Sequence, residues 1–168
     1  MGLLDRFFQR EGVVGIARET LEFALESAED THPNEYMGML RGTDASRLGL
    51  DARGQVITDV LVIPGTRSNP VSATVDSNMI PNDVRSLGSI HSHPNGVLRP
   101  SDEDLATFTS GTVHIIMGEP YGPDDWRAFD QHGDRRTLRV LDVDLPSADE
   151  FFDFTQADID AELRRDHD

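Results

Sequence analysis

The sequence predicts a single domain of α/β class in the loose sense (α+β), a mixed β-sheet flanked by helices. Three observations carry that reading. Apolar residues recur at helical spacing near the N-terminus, and after residue 34 the pattern changes to short β-branched runs broken by Pro, Gly and Asn. At 168 residues the chain is long enough to bury one real core. It contains no cysteine, so neither disulfides nor thiolate metal sites can hold it together.

The elements follow in order. Val14, Ala17, Leu21, Ala24, Leu25 and Ala28 share one face of a helix predicted over about 13–29. Thr31-His32-Pro33-Asn34 ends it. Strands are predicted at 36–40, 48–50, 55–63 and 71–75, with Pro64-Gly65 closing the third. Further strands are expected at 87–90, 113–117, 126–130 and 138–143, with Trp126 in the core. A short helix over 101–108 opens on its own cap, Ser101. A last helix starts at Ser147, which forms a capping box with Glu150; Phe151, Phe152, Ile159 and Leu163 line its apolar side. The organisation predicted is an N-terminal segment (1–12), a domain (13–145) and a C-terminal helix (146–168). The polar stretch from Gly65 to Arg85 is long for a loop inside a compact domain, and such loops tend to be functional.

Charge excludes some functions. Asp and Glu number 31 against 15 basic residues, all arginine, for a net charge of −16. Nucleic-acid binding needs a basic footprint, which this balance opposes. An acid excess spread over the whole chain points to work in concentrated salt, where the screening length shrinks to about 3 Å at 1 M. No run approaches the ~20 apolar residues of a membrane span, and the first residues lack a signal-peptide pattern. A cytoplasmic protein with no membrane partner is the expectation. Leu3, Leu4, Phe7 and Phe8 form a small apolar cluster, read as packing or a homodimer contact.

The informative segment is Ser89-Ile90-His91-Ser92-His93-Pro94-Asn95-Gly96, followed by Arg99-Pro100-Ser101-Asp102-Glu103-Asp104. On a strand, His91 and His93 lie on one face, about 6–7 Å apart in Cα, while Ile90 points into the core. Pro94 and Gly96 turn the chain, and a helix beginning at Ser101 brings Asp104 back towards the histidines. Two His and one carboxylate with a fourth position open is a catalytic zinc arrangement. Ser101 with Asp104 also reads as a helix cap and its reciprocal partner. An HxH pair alone is weak. With Pro, Ser and Asp at their offsets, a chance match in this composition falls to about one in ten thousand. His114 reads as a strand histidine, and His32, His132 and His167 as surface.

These residues resemble the JAMM (MPN-plus, JAB-domain) metalloproteases. That family's signature is an upstream Glu, then His-x-His-Pro, then a Ser separated from the second His by seven residues, and an Asp three positions further on. Here it matches His91-Ser92-His93-Pro94, Ser101 and Asp104, with Glu35 in Glu35-Tyr36-Met37-Gly38-Met39-Leu40 as the upstream acid. Asn69-Pro70 also resembles the segment before the family's metal strand. The likeness covers roughly 13–145. It implies that His91, His93 and Asp104 bind one Zn2+ with water as fourth ligand. It implies that Glu35 is the general acid/base and that Ser101 stabilises the oxyanion. Glu35 enters on the resemblance alone, its other reading being a solvated Glu at a strand start.

The resemblance further implies a zinc isopeptidase cutting after the C-terminal Gly-Gly of a ubiquitin-like modifier on lysine, as archaeal desampylase-like members do. The modifier's tail would add a strand beside the metal, with residues 65–81 as a wall of the groove. Two alternatives stand beside it. One is a zinc peptidase processing sulfur-carrier proteins; the other is a non-catalytic MPN scaffold domain, whose usual members lack one or more ligands.

Overall fold

A computed structural model describes residues 12–62, 86–108 and 111–145. The expected strand at 71–75, the 65–85 stretch, the Leu3–Phe8 cluster, His167 and the C-terminal helix lie outside the described residues. The chain runs β1 (Val13–Ala17), α1 (Arg18–Thr31), β2 (Met37–Asp44), a 3-10 turn (Ala45–Leu48) and β3 (Gln55–Val62). It continues through β4 (Gly88–His93), α2 (Asp102–Thr107), β5 (Val113–Gly118), β6 (Trp126–Phe129), β7 (Arg135–Arg136) and β8 (Arg139–Leu141). Among the described residues eight strands form one mixed sheet in the order β7-β6-β5-β4-β2-β3-β1-β8. No helix among the described residues is long and apolar enough to cross a membrane.

Two sequence expectations are corrected here. The helix expected over 13–29 starts only at Arg18, because Val13–Ala17 is a strand between β3 and β8, parallel to both. Its β-branched residues suit that slot, and a Cβ on Gly15 would come within 2.5 Å of the Arg139 carbonyl oxygen, so the close strand approach uses glycine. The strand expected at 48–50 is instead the end of the 3-10 turn. Asp44 caps that turn by accepting from the Ser46 N–H, and Gly49 closes it in the left-handed region at φ 75°. Smaller differences are boundary shifts: β2 extends to Asp44, and the last expected strand is only Arg139–Leu141. Trp126 is half-buried at the rim of the core, its indole N–H donating to the Pro123 carbonyl.

The main core lies between α1 and one face of the sheet. Leu21, Ala24, Leu25 and Ala28 of α1 pack on Leu40, Ile57, Ile90 and Ile115, all buried. Each such Leu or Ile contributes roughly 1.5–3 kcal/mol by leaving water. On the opposite face Phe108 at the end of α2 packs with Ile116 and Phe129. The metal-motif strand β4 is therefore the middle of a sandwich. Ile90 and Ser92 point to the α1 side; Ser89, His91 and His93 point to the α2 side, as alternation requires.

Candidate metal centre

β4 pairs in parallel with β5 (His91 opposite Ile116) and antiparallel with β2 (His91 opposite Met37), so both histidines sit on a central, rigid strand. Pro94 and Asn95 then turn the chain, with the Gly96 N–H donating to the His93 carbonyl at 3.0 Å. Gly96 takes a left-handed φ of 76°, which glycine adopts without strain. Asn95 Oδ1 accepts from the Val97 N–H at 3.0 Å and fixes the turn. Val97 in turn presents its carbonyl oxygen to His93 Nδ1 at 2.7 Å.

That last contact sets the imidazole's chemistry. A carbonyl only accepts, so Nδ1 carries the proton and Nε2 of neutral His93 keeps its lone pair. Nε2 lies 3.0 Å from His91 Nε2 and 3.1 Å from Asp104 Oδ2. Asp104 Oδ1 lies 3.1 Å from His91 Nε2. His91, His93 and Asp104 thus place one ligand atom each within 4.8 Å of one another, His91 buried and the other two half-buried.

Asp104 gets there through its cap. The Ser101 side chain accepts from the Asp104 N–H at 3.1 Å, and Asp104 Oδ2 accepts from the Ser101 N–H at 2.8 Å, a full capping box at the start of α2. The cap and metal-ligand readings of this pair hold together: one backbone N–H orients the carboxylate while both its oxygens face the imidazoles.

The electrostatics call for a cation. Burial alone would raise the Asp104 pKa, yet the two histidines and the Ser101 N–H hold it well below the usual carboxylate range. Burial would lower the His93 pKa, but the Asp104 hydrogen bond, the Val97 carbonyl and the charges of Asp104 and Glu35 together raise it. Two imidazole nitrogens and a carboxylate converging on one point favour positive charge between them. Two His nitrogens and a carboxylate oxygen are a donor set that suits zinc, and three ligands, the number that converges among the described residues, is the catalytic count.

Glu35 is half-buried in the turn before β2 and near enough for its charge to act on His93. Its location follows from Ser92. The Ser92 N–H donates to the Tyr36 carbonyl at 2.9 Å, and the Tyr36 N–H donates to Ser92 Oγ at 2.8 Å. Ser92 is fully buried, so this double tie locks the residue after Glu35 to the strand that carries both histidines. Sequence reasoning passed over Ser92, although a small hydroxyl between two strand histidines must point to the opposite, core side. It also passed over Asn95 as the orienter of the Val97 carbonyl.

The other described histidines lie outside the cluster. His114 is buried on β5, its ring stacked on Phe108 at 4.1 Å and its Nδ1 2.8 Å from Ser89 Oγ. His32 and His132 are exposed; His32 Nδ1 meets the Tyr121 hydroxyl at 2.9 Å.

Comparison with known proteins agrees with this geometry. A family model described as a Halobacterial JAB/MPN domain protein matches residues 13–150. A Haloferax volcanii protein described as a "Probable metalloprotease" is 65% identical over 160 residues, covering 95% of this chain and 99% of that one. A solved JAB1/MPN domain protein from Archaeoglobus fulgidus superposes with a TM-score of 0.57 at 29% identity, over 76% of this chain and 99% of that one. A second solved structure, described as JAMM, a metalloprotease-like zinc site in the proteasome and signalosome, gives 0.58 at 27% identity, over 78% and 100% of the two chains. Fold, site and sequence together show that this chain belongs to the JAB/MPN domain family.

Proposed function

We propose that this chain is a zinc metallopeptidase, an isopeptidase that hydrolyses the bond after the C-terminal Gly-Gly of a ubiquitin-like modifier attached to lysine. The observation that carries the reading is the convergence of His91, His93 and Asp104 on one point beside Glu35. The relative described as a "Probable metalloprotease" supports the class of reaction. The complete donor set weighs against a metal-free scaffold. The acid excess supports work in a high-salt cytoplasm.

His91, His93 and Asp104 would hold the ion. When bound, zinc supplies Lewis acidity, polarising a carbonyl and lowering the pKa of water from 15.7 to about 7. The chain's own residues do the rest. His93 is held in one tautomer by Val97, so its Nε2 is ready to bind a metal without rearrangement. The Glu35 carboxylate takes a proton from the attacking water and returns it to the leaving lysine nitrogen, which departs as an amine. Ser101 Oγ already accepts from the Asp104 N–H, which leaves its own O–H to donate to the oxygen on which negative charge develops.

The test is turnover of modifier–lysine conjugates at molar salt. Cleavage is expected to stop with chelator, return with added zinc, and fall about 10²–10⁴-fold in Glu35→Ala, the usual range for losing a general acid/base. Turnover surviving both chelator and Glu35→Ala would overturn the mechanism. Preference for linear fusions over lysine conjugates would move the substrate to a processed carrier protein.

A further inference from the structure

Basic residues are sparse in this chain, yet three of them share one cleft. At the edge of the sheet, β6, β7 and the residues flanking them line a cleft of about 640 Å³, with Arg127, Arg135, Arg136 and one acid, Asp124, as its charged residues and Trp126 and Leu138 as apolar walls. Of the charged residues lining it three are arginine and one is aspartate, an excess of two positive charges inside a chain of net −16.

These guanidiniums form no ion pair among the described residues; the arginine pairs there are Arg18 with Asp142 and Arg41 with Asp59. Two of them instead anchor on backbone. Arg127 Nη1 donates to the Asp124 and Trp126 carbonyls at 2.8 and 2.6 Å, and Arg136 Nη1 donates to the Thr112 carbonyl at 2.8 Å. In a chain with twice as many acids as bases, such unpaired neighbours need a reason. Each guanidinium carries five N–H donors, so backbone anchoring holds the head in place and leaves donors over for a carboxylate fork.

Position matters as well. Arg127 stands opposite Ile116, and Ile116 opposite His91, so the cleft begins two strands, about 10 Å, from the metal strand. With a screening length of about 3 Å at 1 M salt, diffuse charge recognises little, while forked contacts at hydrogen-bond distance persist.

We propose that this arginine cleft docks an acidic polypeptide segment on the folded body of the substrate protein, apart from the residues that do the chemistry. The assignment to substrate rests on the peptidase reading; the binding itself does not, and is measured without turnover. The probe is a fluorescein-labelled peptide of eight glutamates, followed by anisotropy on zinc-loaded Glu35→Gln protein. Arg135→Glu with Arg136→Glu is expected to weaken binding at least tenfold. Arg53→Glu, the same charge change as Arg135→Glu alone but on an exposed residue outside the cleft, should leave it unchanged. In otherwise wild-type enzyme, the same double variant should raise KM for a protein conjugate while leaving cleavage of a short Gly-Gly-lysine peptide intact. Arg135 is exposed, so Arg135→Glu alone, with an unchanged melting temperature, guards against misfolding and should weaken binding in the same direction. Equal loss in Arg53→Glu, undiminished binding in the double variant, or displacement of the peptide by tripolyphosphate at lower concentration would overturn the proposal. Failure of the enzyme to cleave any conjugate, with peptide binding intact, would instead sink the peptidase reading.

Discussion

Ser92→Ala isolates the link between the metal strand and Glu35. It removes the acceptor for the Tyr36 N–H, together with a hydrogen-bond partner of the Tyr121 hydroxyl, while leaving His91 and His93 untouched. Tyr36 is 6% exposed and Ser92 fully buried, so water cannot easily replace the lost partner. An unmet buried donor costs about 1–3 kcal/mol. Taking 2 kcal/mol and ~3 °C per kcal/mol for a domain of this size, the melting temperature should fall about 6 °C. The strand pairing through the Ser92 N–H persists, so the fold survives, but the turn carrying Glu35 gains freedom. A displacement near 1 Å can cost about 10²-fold in rate, so kcat on a Gly-Gly-lysine peptide should fall ~10–100-fold with little change in KM. Zinc content should stay at the wild-type level, because no donor has moved. Ser92→Thr keeps the acceptor and should recover most of the activity. Wild-type kcat and stability in Ser92→Ala, or loss of zinc in parallel with activity, would refute the reasoning.

Two further perturbations probe the surroundings of the site. Burial pushes His114 down from 6.5 to about 4, so the unfolded chain binds a proton that the folded chain refuses. Stability is therefore whole above pH 6.5 and is lost as pH falls towards 4, by about 2 kcal/mol between pH 7 and 5. Urea unfolding in chelator should show that this part of the pH slope disappears in His114→Gln; an unchanged slope would contradict the assignment. Asn95→Ala frees the turn that aims the Val97 carbonyl at His93 and should weaken zinc binding about tenfold, the low end for an outer-shell partner. A competition titration with a chromophoric chelator reads that change, and an unaltered affinity would show that the carbonyl is held by other means.

The site was legible where its parts are close in sequence. His91, His93 and Asp104 come from one strand, one turn and one helix start, so strand alternation and the capping box nearly dictate their meeting. Glu35 was legible only by likeness, because its approach depends on the β2–β4 register and on a buried serine tie that no local pattern displays. β1 was misread because Val14 and Ala17 fit a helical period with Leu21, whereas the parallel partners that make them a strand lie far along the chain at β3 and β8. The turn at Ala45–Leu48 was readable in principle: Asp44 two residues before Ser46, and a glycine after Leu48, mark its two ends. The arginine cleft was invisible in sequence, since its charges meet only when β6 and β7 pair.

If His91, His93 and Asp104 form a zinc site, the metal content of the protein reveals it. Elemental analysis of protein purified in high salt and dialysed against zinc should find one zinc per chain. His91→Ala and Asp104→Ala should lose it, while His114→Gln should retain it. Wild-type protein without stoichiometric metal, or variants that keep it, would contradict the account.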